Sequence, residues 1–449
     1  MKAVHAAPQG RGNLLPVTGT YILENIEALV GHEIPVYRVL KNAGGELRAS
    51  AVPAVTARTL AGDEREKKQF LVDKEWKKKL FATEDPFDAQ LEELLDQTPA
   101  ERALATGALK TALADLKAQD AEPMVKARVI MDAVSRTFLL NKASLKLKPS
   151  DITLHEKSLA KDTAAIVGTA LEMAEDPALV SGLFTAFQEL SNGQTINHVV
   201  RVFASYSGFL RYYNTRHQQG LSQVLRRIFP HAYLPLYRKM LPRVADHLMN
   251  SDHLLQLPAL GAFDLREYAL GAFLHDIGKM GNIDYFESDA AYDPQQIQQH
   301  VFLSAGLILM NYGNEHDGAR LLAGDHHNAL GQRGGYGLTR LERERGTRPP
   351  VDTIRCLSGD SQGFTSGQAL GWLPVEMLAV ADVYDAMIDD SRAYKKPLSP
   401  AQAAAFLEDA MASEGRLDPV LVDVYIDFLR TQGLEMPADR GFTYKLKGG

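Results

Sequence analysis

The chain is predicted to be mainly α-helical, a helical bundle preceded by a small α+β N-terminal domain. Two patterns carry this expectation. From Thr98 onward nearly every segment repeats its apolar residues at helical spacing. Before Thr98, short apolar runs alternate with turn signals, the pattern of strands and a hairpin. With 449 residues, 45% hydrophobic and 23% charged, the chain suffices for roughly two or three domains with full cores.

Residues 1 to 20 are rich in Pro and Gly and are expected to be loose. From Tyr21 to Leu60, stretches such as Ile34-Pro35-Val36-Tyr37-Arg38-Val39-Leu40 alternate with turn residues, notably Asn42-Ala43-Gly44-Gly45. They predict a few strands and a hairpin. Between Lys67 and Phe81, Lys67, Lys68, Lys74, Lys77, Lys78 and Lys79 interleave with Phe70, Leu71, Trp76 and Leu80. That mixture predicts an amphipathic helix with a solvated basic face. Thr98-Pro99-Ala100-Glu101 opens the helical part, with threonine at the N-cap and proline at N1. Helices are expected through Leu116, from Met124 to Leu140, from Asp151 to Ala174 and from Pro177 through Leu190, with the polar stretch Lys142 to Ser150 as a boundary. The organisation predicted is an accessory or regulatory domain over 1–98, a helical linker over 99–148 and a helical domain over 149–449.

The formal charge of −7 argues against binding to nucleic-acid polymers or membranes through a general field. Cys356 is the only cysteine, so no internal disulfide can form and nothing suggests an oxidising compartment. The stretch Met1 to Pro8 lacks the apolar core of a signal peptide. No window approaches the roughly 18 consecutive apolar residues of a membrane span. A cytoplasmic protein is expected.

Five places set polar, metal-ligating side chains into apolar helices. His275-Asp276 ends the run Tyr268 to Leu274, and burying both is costly unless each finds a partner. A divalent metal suits imidazole nitrogen and carboxylate oxygen together. A capped helix end, with Asp276 accepting from local N–H groups, is the alternative. His198 lies in Asn197 to Ala204 and His300 in Gln298 to Gly306; such a histidine alone is more often a satisfied core residue than a ligand. His326-His327 differs, because adjacent helical residues point about 100° apart and suit two neighbouring metals better than one. Asp382 stands in the apolar run Ala379 to Ala386, where an unpaired carboxylate is expensive.

The order His…His-Asp…His…His-His…Asp resembles the HD-domain phosphohydrolase superfamily, and the central His with the His-His pair is similar to its HD-GYP branch. His275-Asp276-Ile277-Gly278-Lys279 looks like that branch's His-Asp-x-Gly-Lys motif. Val380-Ala381-Asp382-Val383-Tyr384-Asp385-Ala386-Met387, followed by Arg392-Ala393-Tyr394-Lys395-Lys396, resembles its terminal Asp helix and downstream Arg-x-Tyr segment. Gly335-Tyr336-Gly337 stands where the Gly-Tyr-Pro signature belongs. The resemblance covers residues 150 to 410.

It implies an HD-type helical bundle holding two, sometimes three, divalent metals, usually iron or manganese, and hydrolysis of cyclic di-GMP. Carried over by motif, the ligands are His198, His275, Asp276, His300, His326, His327 and Asp382, with Asp276 bridging. Such a pair binds the scissile phosphate and turns a bridging water into hydroxide at neutral pH, for in-line attack that expels the ribose 3′-oxygen. Lys279 is implied to neutralise charge on the phosphate or leaving oxygen, with a surface lysine as the alternative. Arg392 and Lys395 resemble phosphate contacts, for which arginine's fork is suited, and Tyr336 is placed at the substrate. A solvated charged turn is the alternative for the first two.

The sequence departs from the pattern in four places. Gln194 replaces a glutamate expected one turn before His198 in three-metal relatives, which favours two metals. The 77 positions from His198 to His275 imply an insertion near 211–260, for which a lid, a dimer surface, a partner site and solvated padding all stay open. After the His pair the family's charged residues are missing and Gly337 replaces proline, which frees φ and predicts a more mobile loop. A further insertion falls near 338–372. The expected function is a metal-dependent phosphodiesterase acting on cyclic di-GMP to give linear pGpG or GMP. The alternatives are an HD phosphohydrolase of another nucleotide, such as cyclic GMP-AMP, and a non-catalytic receptor.

Overall fold

The computed structural model describes residues 14–17, 36–41, 47–52, 70–73, 93–146, 149–189, 195–240, 259–282, 294–328, 335–338, 373–389, 397–412, 416–434 and 436. The chain divides into two compact units. The first comprises Met1–Glu92, Gly281–Ile297 and Arg392–Lys396; the second comprises Glu93–Met280, Gln298–Ser391 and Pro397–Gly449.

Four strands are described in the first unit: β1 (Leu14–Val17), β2 (Val36–Lys41), β3 (Leu47–Val52) and β4 (Phe70–Asp73). All pairings are antiparallel, in the order β1-β4-β2-β3. Tyr37 of β2 faces Ala51 on one side and Leu71 on the other. The predicted hairpin is the β2–β3 pair. The helix expected over Lys67 to Phe81 is corrected at Phe70–Asp73, which is strand β4. The run Phe70-Leu71-Val72 has strand character and pairs with β1 and β2, so non-local partners override the local helical spacing. Of the α+β domain expected over 1–98, the residues outside these strands and 93–98, which include a helical turn at 93–96, lie outside the described residues.

The second unit is helical: α1 (Pro99–Ala118), α2 (Pro123–Ser144), α3 (Leu154–Met173), α4 (Pro177–Glu189), α5 (Thr195–Gln218), α6 (Leu221–Ala232), α7 (Leu234–Met240), α8 (Ala262–Leu274), α9 (Pro294–Tyr312), α10 (Asp317–Asp325), α11 (Leu373–Ile388), α12 (Pro400–Phe406) and α13 (Pro419–Thr431). The Thr98 start signal becomes a capping box: the Glu101 N–H donates to Thr98 Oγ1 (3.3 Å), while the Thr98 N–H donates to Glu101 Oε2 (2.7 Å). Thr153 and Glu156 form a second box at α3.

α5 is the central helix, packed by α2, α4, α6, α8, α11 and α13; α8 packs on α3, α5 and α10. Phe273 of α8 meets Phe138 of α2 and Phe203 of α5 edge-on, at 5.6 and 6.0 Å between ring centroids. Within the stretch expected as a helical linker over 99–148, α1 packs on α2 and α3, and α2 on α3, α4 and α5. The insertion expected at 211–260 begins as the last turns of α5 and continues as α6 and α7; residues 241–258 lie outside the described residues. The insertion expected at 338–372 also lies outside them, apart from Leu338. Among the described residues, no helix is long and apolar enough to cross a membrane.

Two helices explain how polar groups reach the interior. α8 is buried from Glu267 through Leu274, and α11 from Leu373 through Asp382. A helix apolar on all sides has no solvent face, so side chains at its end or middle point into protein.

Candidate metal centre

Five helices deliver the expected ligands to one place. His198 is one turn into α5; His275 and Asp276 follow the last residue of α8; His300 is on α9; His326 and His327 follow α10; Asp382 is in the middle of α11. His275, Asp276 and His300 are fully buried, and His198, His326 and Asp382 are at most 5% exposed. The turn Ile277–Asn282 is pressed against α9. The Gly278 N–H donates to Ser304 Oγ, and Ser304 Oγ donates to the His275 carbonyl, both at 2.8 Å. A Cβ on Gly278 would stand 2.2 Å from the His300 carbonyl oxygen, so only glycine permits this approach.

Asp276 is the centre of the arrangement. Its Oδ2 lies 3.5 Å from Nε2 of both His198 and His275 and 2.5 Å from Lys279 Nζ. Its Oδ1 lies 3.2 Å from His300 Nε2 and 3.7 Å from His326 Nε2. Asp382 Oδ1 closes the first group, 3.0 Å from His198 Nε2 and 3.9 Å from His275 Nε2. His300, His326 and His327 form a second group whose donor atoms lie within 4.8 Å of one another. The adjacent histidines therefore share one cluster rather than parting toward two. The helix ends at Asp325, and in the turn beyond it the two rings sit 4.2 Å apart, so the helical angle between neighbours does not apply.

Ring orientation is set from behind. His275 Nδ1 donates to the Ala272 carbonyl (2.7 Å) and His326 Nδ1 to the Ala323 carbonyl (2.9 Å), which leaves each Nε2 as the free acceptor. His198 Nδ1 lies 2.7 Å from Asp385 Oδ2. Arg201 Nε and one terminal nitrogen reach Asp385 at 2.7 and 3.0 Å, and that terminal nitrogen lies 3.2 Å from Asp389 Oδ2. Asp385, Arg201 and Asp389 were not singled out by the sequence reading. The signal was present: Arg201 is three residues past His198, and Asp385 three past Asp382, which puts each pair on one helix face.

Burial governs the charge states. It pushes His275 down to about 3, against the pull of Asp276. Burial and then Lys279 lower His300, and burial and then His326 hold His327 well below its ordinary value. Burial opposes ionisation of Asp276, but Lys279 and His275 outweigh it and keep the carboxyl well below the usual range. In Asp382 the opposition of burial is likewise outweighed, chiefly by His198. Burial also lowers His198, yet Asp382 and Asp385 raise it overall. The neutral imidazole that burial favours at His275, His300 and His327, and the ionised carboxylates of Asp276 and Asp382, are the forms that ligate metals.

The donor set fits divalent cations. His275 Nε2 and Asp276 Oδ1 are buried without a hydrogen bond of good geometry, an expensive state that a cation relieves. Two donors about 2.1 Å from one ion stand roughly 3–3.5 Å apart, near the 3.0–3.9 Å separations that Asp276 and Asp382 keep from the histidines.

Tyr336 stacks on His327, with ring centroids 4.9 Å apart, and its N–H donates to the His327 carbonyl (3.0 Å). A Cβ on Gly337 would stand 2.5 Å from Asp325 Oδ1. Proline has that atom too, so the glycine that sequence reading linked to a mobile loop answers here to close packing. Arg392, Lys395 and Gln194 lie outside the described residues. No family model matches the chain, and no curated protein or solved structure matches it significantly.

Proposed function

We propose that this chain is a metal-dependent phosphodiesterase hydrolysing cyclic di-GMP to linear pGpG, GMP or both. The observation that carries the reading is the division of Asp276, with Oδ2 toward His198 and His275 and Oδ1 toward His300 and His326. A carboxylate shared in this way suits two cations, iron or manganese by the resemblance. When bound, such a pair supplies Lewis-acid activation of water and of the scissile phosphate. His198, His275, Asp276 and Asp382 would hold one ion; His300, His326, His327 and Asp276 the other.

The chain's own groups do the rest. Lys279, 20% exposed in its side chain, is the cation placed to meet a phosphate entering beside Asp276. Tyr336 presents an aromatic ring next to His327, suited to stacking on a base. Arg392 and Lys395 are assigned to the phosphates by their motif. The strands β1–β4 are assigned to a small α+β accessory domain, and the protein to the cytoplasm, in line with its single cysteine.

The test is metal analysis of the purified chain, followed by assay on cyclic di-GMP with iron or manganese. Two ions per chain and hydrolysis are expected. Bound metal with no hydrolysis of any cyclic dinucleotide overturns the reading. A second reading, a phosphohydrolase of another nucleotide such as cyclic GMP-AMP or a non-catalytic receptor, is favoured by one observation: Gly337 replaces the signature proline. Turnover of cyclic GMP-AMP, or nucleotide binding without turnover, would select it.

A further inference from the structure

We infer that Asp385 is a positioning residue that fixes the tautomer and aim of His198, and so sets the affinity of one cation position out of two. The inference rests on the reading of the histidine–aspartate cluster as a divalent-metal centre. A carboxylate only accepts, so the 2.7 Å contact with Asp385 Oδ2 places the proton on His198 Nδ1. His198 Nε2 is thereby turned to Asp276 Oδ2 and Asp382 Oδ1, at 3.5 and 3.0 Å.

Asp385 is itself held. Arg201 grips both of its oxygens, at 2.7 and 3.0 Å, and reaches Asp389 at 3.2 Å. Asp385 and Asp389 are 4% and 7% exposed, and among dry surroundings such charge-assisted bonds are strong and directional. His198 and Arg201 lie on α5; Asp382 and Asp385 share one face of α11, and Asp389 directly follows that helix, its N–H donating to the Asp385 carbonyl. The chain of contacts therefore locks the two helices in register at the point where each contributes a ligand.

The other backed histidines differ in kind. His275 and His326 lean on carbonyls of their own helices, at Ala272 and Ala323, which carry no net charge and move with the ligand. His198 instead leans on a carboxylate from another helix. A carboxylate behind a ligating imidazole raises its basicity and orients it, and loss of such a partner typically weakens metal binding about 10–100-fold. The effect falls on the position built from His198, His275, Asp276 and Asp382. The position built from His300, His326 and His327 has no contact with Asp385 among the described residues.

The experiment titrates metal-free full chain with Mn2+ by calorimetry, with circular dichroism as the check on folding. Wild type is expected to take up two ions. Asp385→Asn keeps an oxygen for the Nδ1 proton but loses the charge, and is expected to weaken one of the two events about 10–100-fold while leaving the other unchanged. Arg201→Lys, which loses the fork but keeps the charge, is expected to weaken the same event to a smaller degree, and carries the test alone if Asp385→Asn does not fold. Wild-type affinities in both variants overturn the inference, as does equal weakening of both events, which is the signature of a structural role. A wild-type chain that binds no metal overturns the reading of the centre itself.

Discussion

His300 Nε2 lies 3.2 Å from His326 Nε2, and both face Oδ1 of Asp276. Because His326 donates through Nδ1 to Ala323, its Nε2 is bare, and the close approach needs either a proton from His300 or a cation alongside. Asp276 ties this pair to the His198–His275 pair. Asp276→Asn is expected to release both ions and to cut hydrolysis by more than the roughly 10–100-fold that partners behind a ligand cost. Metal content and turnover of cyclic di-GMP check it; an unchanged rate would show the site to be misassigned.

Gly278→Ala is expected to destabilise the chain and disturb the centre together. The added carbon meets the His300 carbonyl at 2.2 Å and the Ser304 nitrogen at 2.6 Å, both backbone atoms that no rotamer change can move. Overpacking of this kind costs about 1–3 kcal/mol, and α9 must shift, carrying His300 with it. A lower melting temperature with reduced metal content is the predicted pair of results.

Placing a proline at position 337 should harm rather than help. Gly337→Pro and Gly337→Ala both set a Cβ against Asp325, whose carboxylate is 5% exposed and next to His326. A loss of about 1–3 kcal/mol is expected for the alanine variant, read by denaturant unfolding. Equal or greater stability would mean that the loop yields freely.

Glu376 on α11 is fully buried with neither carboxylate oxygen hydrogen-bonded. Burial, reinforced by Asp418 and Asp325, holds its pKa well above the usual carboxylate range. The proton is kept in the folded chain and lost in the unfolded one. The stabilising contribution is therefore complete below the unfolded pKa and is lost as pH rises toward the folded value. Glu376→Gln stays neutral throughout. Its melting temperature is expected to match wild type near pH 4 and to exceed it increasingly between about pH 5 and 8. A gap independent of pH would rule out this account.

The clustered histidines and aspartates were legible in the sequence because each is a polar residue where packing wants an apolar one, as Asp382 in Ala379 to Ala386 illustrates. The start of α1 was legible because the Thr98–Glu101 box is local. For Asp385 only the face it shares with Asp382 was legible; its pairing with His198 and Arg201, 187 and 184 positions away, comes from the fold. Strand β4 was missed for the same reason: Phe70–Asp73 is fixed by β1 and β2, not by its own spacing. The placement of His326 and His327 turned on where α10 stops, a boundary that periodicity locates poorly.

A chain whose only cysteine is Cys356 has no disulfide with which to staple itself. The convergence of α5, α8, α9, α10 and α11 on Asp276 offers a different tether. An ion gripped by His198 and Asp382 together would close a loop that runs through α6, α7, α8, α9 and α10, and closing a loop of that length removes much of the freedom of the unfolded chain. Ligation and folding would then draw on the same free energy. Stripping the metal with a chelator should lower the melting temperature and open the stretch from 198 to 382 to proteolysis as one cooperative unit.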